Sequence, residues 1–327
     1  RFPFRHPPLT NFYMAPLIKA AGGANEVVLH SAYLVFPLVA AVSMYALGRR
    51  FTRYPLAGAL LLAVSPGVLV MSHTVMGNVP GLAFWLAATA LFIWGVDRDS
   101  LRLLLGAGLA MAAALMTFAQ ALTLPPLLLF YVLLKWRFNQ KILASFLIPA
   151  LVYGFWRYYI QQRYGFPPAI SYRVDFHLDW QLRALLVFLG GTIIFPPSVL
   201  LVFLAQKRDR LVTLAGATLA GAWVTWFYVG RGELTLFWGV VAGIMAAAGF
   251  MAIYGLVSRA ISDLWKLTKK RPGLSDNLFI FAWFASVAIV YVASTLPFVA
   301  ARHLLPLFPP VLLLVVREAA GLWQARP

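Results

Sequence analysis

Long apolar runs alternate with short polar stretches along this chain, and the pattern predicts a protein built from membrane-spanning helices. A helix needs about 20 mostly apolar residues to cross a hydrocarbon core roughly 30 Å thick. About 11 runs have this length or come close to it, at 27–47, 56–71, 80–96, 103–117, 119–134, 142–160, 184–204, 211–229, 234–257, 278–297 and 303–316. The sequence therefore predicts an all-α, polytopic transmembrane helical bundle of about 11 spans.

The composition excludes a soluble protein. Of the 327 residues, 62% are hydrophobic and only 11% are charged, and the mean hydropathy is +0.81. An average soluble domain carries roughly 25% charged residues, and polar groups must cover much of its surface. A chain this apolar is neither a cytosolic enzyme, a secreted domain nor a disordered segment.

The basic residues predict which side of the membrane each loop occupies. The net charge is +17, from 27 Lys and Arg against 10 Asp and Glu. If the loops are taken alternately, one set holds 18 of the basic residues and the other holds nine. Because basic residues collect in cytoplasmic loops, the richer set is assigned to the cytoplasm and the N-terminal segment to the outside. This interpretation makes membrane lipids, not nucleic acid, the partner of the positive charge, in a multi-pass protein of the plasma (inner) membrane.

The same pattern divides the chain into regions. Residues 1–26 are predicted to be an extracytoplasmic N-terminal loop, and residues 27–327 a transmembrane domain. Within that domain, 157–183 is an outer loop rich in aromatic and arginine side chains, which suit the lipid headgroup region. A cytoplasmic amphipathic segment at 258–276 contains a short basic helix from Ser258 to Arg271, attracted to anionic lipid.

The candidate chemistry lies on the predicted outer face. All five histidines fall in outer loops or at the outer ends of spans, namely His6, His30, His73, His177 and His303. Histidine titrates near neutral pH and often binds metals, so this bias indicates polar binding or catalysis outside the cytoplasm. In the N-terminal segment, Pro7 and Pro8 restrict the backbone and hold His6 near the membrane surface, in a loop or a re-entrant turn.

Two further outer segments contain candidate binding residues. His73 and Asn78 lie in the loop before the third span, where Asn78 is either a helix cap or part of an anion site at a helix N-terminus. Arg302 and His303 open the last span. A cation at the outer end of a span runs against the orientation rule, so we expect Arg302 to have an acidic or phosphate partner.

A third outer segment contains a candidate metal site. Asp175, His177 and Asp179 alternate along the outer loop, and in an extended segment they share one face. They are either ligands of a divalent metal ion or part of a solvated loop whose acids pair with Arg173 and Arg183.

Taken together, these motifs resemble the GT-C superfamily of integral-membrane glycosyltransferases, the group of the protein O-mannosyltransferases and the lipid A aminoarabinose transferase. The match is carried by the His6-Pro7-Pro8-Leu9 loop, by Pro66 and Thr74 to Pro80 leading into the third span, and by Arg302 to Pro309. The resemblance implies that a sugar moves from a polyprenyl-phosphate carrier to an acceptor at the extracytoplasmic face. His6 and Arg302 would then stabilise the leaving lipid phosphate, with His73, Asn78 and His303 beside them in the substrate site.

The resemblance also shows where this chain departs from the family. The principal catalytic acid is expected upstream of Arg1, in a loop that follows one more span, and a second acid common in relatives is replaced here by Asn78. An asparagine cannot deprotonate an acceptor hydroxyl, although it can hold a sugar. The catalytic residues therefore stay unassigned, and the other outer acids are Glu26, Asp175, Asp179 and Glu233.

Two alternatives to an enzyme stay open at this point. A carrier or flippase for a lipid-linked sugar would place polar residues deep in several spans, but Gln120 is the main such residue here. A non-catalytic membrane subunit that retains the GT-C fold would account for Asn78. In each interpretation the partners are a lipid-linked sugar and membrane lipids, and in the enzyme the acceptor is a protein, lipid or glycan.

Overall fold

The structure is a computed structural model that describes residues 7–165, 178–194, 210–268, 275–293 and 300–324. Every regular element in these ranges is a helix, which confirms the predicted all-α class. The α-helices are α1 Leu9–Ala20, α2 Glu26–Tyr33, α3 Val35–Phe51, α4 Pro55–Val64, α5 Pro66–Ser72, α6 Asn78–Asp97, α7 Leu101–Leu115, α8 Leu124–Lys135, α9 Gln140–Tyr164, α10 Leu178–Ile194, α11 Arg210–Gly230, α12 Leu236–Thr268, α13 Ser275–Ala293 and α14 Phe308–Gln324. Turns of 3-10 helix at Ala119–Thr123 and Ala301–Leu307 precede α8 and α14.

The helix lengths confirm a multi-pass membrane protein but not the count of eleven spans. In the described ranges seven helical stretches are long and apolar enough to cross a membrane, and the count reaches eight if α4 and α5 form one span. The predicted span at 103–117 is the 15-residue helix α7, which at 1.5 Å per residue is only about 22 Å long, against the roughly 30 Å of a hydrocarbon core. Helix α8, in the predicted span at 119–134, is shorter still. Parts of the predicted spans at 184–204 and 278–297 lie outside the described residues.

The predicted span at 56–71 is broken in its middle. Helices α4 and α5 meet at an angle of 59°. Pro66 begins α5, and a residue before proline is driven out of the helical region, so Ser65 is extended at φ −61° and ψ 133°. The Ser65 hydroxyl donates to the Leu62 carbonyl at 2.8 Å, which satisfies a polar group at this buried break.

Two of the predicted loop regions contain helix, and a third segment, predicted to be a separate short helix, continues a longer one. The N-terminal region at 1–26 contains helix α1. Ser258, predicted to begin a separate cytoplasmic helix, instead continues α12, which runs unbroken for 33 residues to Thr268. At 1.5 Å per residue this helix is about 50 Å long and therefore exceeds the thickness of a bilayer core. The predicted outer loop 157–183 is shortened at both ends, because α9 extends to Tyr164 and α10 begins at Leu178.

The helices form two compact units, and each is described by itself. The first comprises Arg1–Leu47 and Val68–Arg173, and the second Gly48–Gly67 and Val174–Pro327. In the first unit α6 is the central helix, with Trp85 and Phe92 fully buried. Gly108 of α7 lets that helix approach α9, because a Cβ atom there would lie 2.8 Å from the Ser145 carbonyl oxygen.

The second unit is held together by close helix packing. Gly190 of α10 lies against the Met245 carbonyl of α12, and Gly249 of α12 lies against the Leu186 carbonyl of α10. Gly243 of α12 and Gly221 of α11 face each other in the same way. Small residues let membrane helices pack backbone to backbone, where dispersion contacts supply the attraction.

Candidate functional site

The N-terminal proline segment is docked in the first unit. Pro8 is buried and directly precedes α1. The Leu9 N–H donates to the Met116 carbonyl at 2.9 Å, just after α7 ends. At the other end of this segment, the Tyr13 hydroxyl donates to the Ala32 carbonyl at 2.8 Å. The backbone after Pro7 and Pro8 is therefore fixed by hydrogen bonds, while His6 lies outside the described residues.

The loop that contains His73 and Asn78 meets this N-terminal segment. A Cβ atom at Gly77 would lie 3.1 Å from the Thr10 hydroxyl of α1 and 3.4 Å from the Thr117 carbonyl. The structure thus brings Asn78 and the segment after Pro8 to one end of the first unit. The His73 side chain is exposed, and the His73 backbone N–H donates to the Val70 carbonyl at 3.3 Å.

The prediction that Asn78 caps the third span is wrong. Asn78 is itself the first residue of α6, and Gly77 occupies the N-cap position without a side-chain hydrogen bond. The Asn78 side chain is half-buried and does not serve as the cap. The alternative, an anion site at this helix N-terminus, stays a prediction.

Arg302 and His303 lie in the second unit, in the 3-10 turn Ala301–Leu307. The Ala300 N–H donates to Nδ1 of His303 at 3.3 Å, so the imidazole caps the start of the turn. Nε of Arg302 lies 3.5 Å from Nε2 of the same ring, and both side chains are half-buried. A neutral imidazole has one acceptor nitrogen, and the capping bond accounts for it. His303 therefore supports the local backbone beside Arg302.

The candidate metal site lies mostly outside the described residues, since Asp175 and His177 fall there. Asp179 lies in the first turn of α10 and pairs with Arg183 at 3.0 Å. The backbone N–H of Trp180 and the Arg183 guanidinium hold the pKa of the Asp179 carboxyl below its usual 3.8. In the part of the chain that the structure describes, no three metal-binding side chains come together.

The structure adds a cleft that the sequence patterns did not predict. It lies in the second unit, between the start of α10 and the end of α11, and has a volume of about 400 Å³. We call it the arginine cleft. Its walls carry two arginines, two carboxylates and three aromatic rings, from Asp179, Trp180, Arg183, Phe227, Tyr228, Arg231 and Glu233.

A stack of two guanidinium groups on one aromatic ring organises the arginine cleft. The Arg183 guanidinium carbon lies 3.2 Å from the centroid of the Phe227 ring, and that of Arg231 lies 4.1 Å from the same centroid. Arg183 is only 3% exposed. Cations over aromatic faces gain about 0.5–2 kcal/mol each, the larger value when desolvated. The two charges are thus held in place by the ring and, for Arg183, by Asp179.

Only part of the arginine cleft could have been found from the sequence. Asp179 and Arg183 are four residues apart, the spacing of an ion pair on a helix, and both lie in a predicted outer segment. Phe227 and Arg231 have the same spacing near the end of another predicted span. The pattern gives no indication that these two pairs meet, because no sequence motif joins α10 to α11.

Comparison with known proteins identifies a family over the first part of the chain. Residues 5–156 match the family model described as dolichyl-phosphate-mannose-protein mannosyltransferase. No curated protein matches the sequence.

Solved structures of ArnT from Cupriavidus metallidurans are similar to this chain. The apo structure has a TM-score of 0.47 at 16% identity, over 97% of this chain and 67% of that one. The structure bound to undecaprenyl phosphate has a TM-score of 0.47 at 15% identity, over 97% of this chain and 68% of that one.

The family match includes two of the three motifs that resemble the GT-C superfamily, namely the one with Pro7 and Pro8 and the one with Asn78. It agrees with the all-helical, multi-pass architecture of the described residues. Residues 5–156 of this chain are thus similar to the family of dolichyl-phosphate-mannose-protein mannosyltransferases.

Proposed function

We propose that this protein transfers a sugar from a polyprenyl-phosphate carrier to an acceptor at the extracytoplasmic face of the plasma (inner) membrane. The observation that carries the proposal is the family match over 5–156, whose description names a dolichyl-phosphate-linked mannose and a protein acceptor for that family. The matched part contains the docked Pro8 segment and the Asn78 loop, which lie together in the first unit.

The chemistry of the proposed reaction requires cations near the leaving group. When the bond between sugar and carrier breaks, the lipid phosphate gains negative charge, and fixed positive groups lower the barrier by stabilising it. We assign this role to His6 and Arg302, as the family resemblance implies. His303 positions Arg302 by capping the turn at Ala300.

A carboxylate must also accept the proton of the acceptor hydroxyl. Among the described outer acids, Asp179 is engaged with Arg183, whereas the Glu26 side chain is 89% exposed at the start of α2. Asn78 lies near the docked segment and is suited to hydrogen-bond a sugar hydroxyl, since its amide both donates and accepts. We therefore place Asn78 among the substrate-binding residues and not among the catalytic ones.

Transfer from a radiolabelled polyprenyl-phosphate sugar tests the proposal. Membranes that contain the protein, expressed from its whole gene, are expected to move label from the lipid to an acceptor. Arg302→Ala should lower the rate by about a hundredfold, the effect of losing one preorganised oxyanion donor. Arg302→Lys, which keeps the charge, should retain more activity, and Arg163→Ala, an exposed arginine at the end of α9, is the control.

The outcomes separate the enzyme from its alternatives. A carrier would move the labelled lipid across the bilayer without transfer, and a non-catalytic subunit would do neither. If the wild-type membranes show no transfer while the protein is present and folded, the proposed function is wrong.

A further inference from the structure

The proposed reaction assigns no role to the arginine cleft, although its size and charge suit a small-molecule site. Its volume of about 400 Å³ lies within the roughly 300–1,000 Å³ typical of small-molecule sites. Its two arginines and two carboxylates give it a formal charge of zero. We propose that the arginine cleft binds a neutral saccharide ring, a role that rests on the proposed glycosyl transfer for its place in the reaction.

The mouth of the cleft is held rigid before any ligand arrives. Helix α11 ends in a turn in which Gly232 has φ +68°, the left-handed conformation that favours glycine. The Gly232 N–H donates to the Val229 carbonyl and the Glu233 N–H to the Tyr228 carbonyl, each at 3.0 Å. This turn fixes where Arg231 and Glu233 leave the helix, and preorganised groups bind with a smaller entropy cost.

The charges of the cleft divide into an engaged pair and an available pair. Arg183 is buried and its Nη1 is paired with Asp179, so these two groups mainly form the wall. Arg231 and Glu233 are exposed at the mouth. In the described ranges neither forms an ion pair, although Arg231 stacks on Phe227. The cleft therefore offers hydrogen-bond donors from the Arg231 guanidinium and acceptors from the Glu233 carboxylate.

This combination favours a saccharide over a free anion. Phosphate would gain from the arginines but would be repelled by Asp179 and Glu233, which also line the cleft. A sugar hydroxyl is both donor and acceptor and can use Arg231 and Glu233 at once. Trp180 and Tyr228 supply apolar ring surface for the C–H face of a pyranose, as in small-molecule sites that combine aromatic walls with a few polar groups.

Saturation-transfer NMR on the purified protein in lipid nanodiscs tests the proposal directly. Nanodiscs are needed because alkyl glycoside detergents carry a saccharide headgroup that would compete. The probes are the methyl glycosides of mannose, glucose, galactose and N-acetylglucosamine, with inorganic phosphate and undecaprenyl phosphate as anions that lack a sugar. At least one glycoside is expected to bind, and Arg231→Ala and Glu233→Gln should each weaken binding about tenfold, the scale of one or two lost hydrogen bonds.

Matched variants keep the test clear of folding effects. Arg231 and Glu233 are exposed, so their replacement leaves the helix packing in place. Arg163→Ala and Asp99→Asn, exposed residues outside the cleft, should leave glycoside binding unchanged. The proposal is overturned if no glycoside binds, if the cleft variants bind like the wild type, or if phosphate alone shows Arg231-dependent binding.

A competition arm identifies the source of the saccharide. If polyprenyl-phosphate mannose displaces the bound glycoside, the cleft holds the sugar of the donor; if both bind together, it holds the acceptor. Either result supports the proposal. Because binding is measured without turnover, absent glycosyl transfer with intact glycoside binding would refute the proposed function alone.

Discussion

Arg50 at the end of α3 and Asp276 at the start of α13 form a two-point ion pair, with Nη1–Oδ2 at 3.0 Å and Nη2–Oδ1 at 3.2 Å. Their side chains are only 21% and 26% exposed. Exposed ion pairs contribute about 0–1 kcal/mol, whereas loss of one partner from a fully buried pair costs about 3–5 kcal/mol. This half-buried pair lies between those limits and ties α13 to the end of α3 in the second unit.

Asp276→Asn is therefore expected to lower the free energy of unfolding by about 2 kcal/mol, because it leaves Arg50 half-buried without its carboxylate. The measurement is the melting temperature of the purified protein in nanodiscs. Asp99→Asn is the matched control, since its pair with Lys141 is more exposed, at 63% and 39%. Equal shifts in the two variants would contradict the assignment.

The charge of Asp99 predicts a pH-dependent contribution to stability. The side-chain hydrogen bond from Lys141 is the main cause that lowers the pKa of the Asp99 carboxyl from its usual 3.8. A group with a depressed pKa in the folded state stabilises that state above its unfolded pKa and loses the effect as pH falls through the folded value.

The melting temperature of Asp99→Asn should thus lie slightly below that of the wild type at neutral pH, and the difference should vanish as the pH falls well below 3.8. The effect is small because the group is exposed and solvent screens it. A difference that grows in acid would show that Asp99 acts through something other than this ion pair.

The helical class and most span positions could be predicted from the sequence, because an apolar run of about 20 residues is the length that a membrane-spanning helix needs. The break at Ser65 could also be anticipated, since Pro66 disfavours a helical residue before it. Other features depend on tertiary contacts. Gly77, not Asn78, occupies the N-cap position where α6 packs against Thr10. The arginine cleft joins α10 to α11, and no local pattern encodes that pairing.

Gly190 predicts how closely α10 and α12 must pack. A Cβ atom at Gly190 would overlap the Met245 carbonyl and lie 2.7 Å from the Gly249 nitrogen, both backbone atoms that cannot rotate away. Gly190→Ala should therefore force the helices apart and destabilise the protein by about 1–3 kcal/mol, as overpacking does.

The neighbouring glycine supplies the control for this prediction. A Cβ atom at Gly191 would meet only the Met245 side chain, with the sulfur at 3.5 Å and the methyl carbon at 3.9 Å, which are ordinary contacts with a flexible side chain. Gly191→Ala should leave the melting temperature in nanodiscs nearly unchanged. Similar losses for both variants would mean that helix packing at Gly190 is looser than the structure shows.

Gly81 links helix packing to the proposed substrate site in the first unit. A Cβ atom at Gly81 would lie 2.5 Å from the Phe118 ring, which also packs edge-on against Trp85. Phe118 lies two residues after Met116, whose carbonyl accepts the hydrogen bond from the Leu9 backbone N–H. Gly81→Ala should displace the segment from Met116 to Phe118 from the docked N-terminal segment. Sugar transfer should then fall about tenfold, since small displacements of positioning groups reduce rates strongly.

A second substitution tests whether Phe118 transmits the effect. Phe118→Leu removes the ring that the new Cβ atom would meet, so the double variant should recover activity relative to Gly81→Ala alone, and the cycle isolates the coupling between the two sites. Gly106→Ala, whose Cβ would lie 3.5 Å from Leu91, serves as a glycine substitution in α7 without a clash. If Gly81→Ala retains full transfer, or if the double variant shows no recovery, Phe118 does not connect α6 to the N-terminal segment.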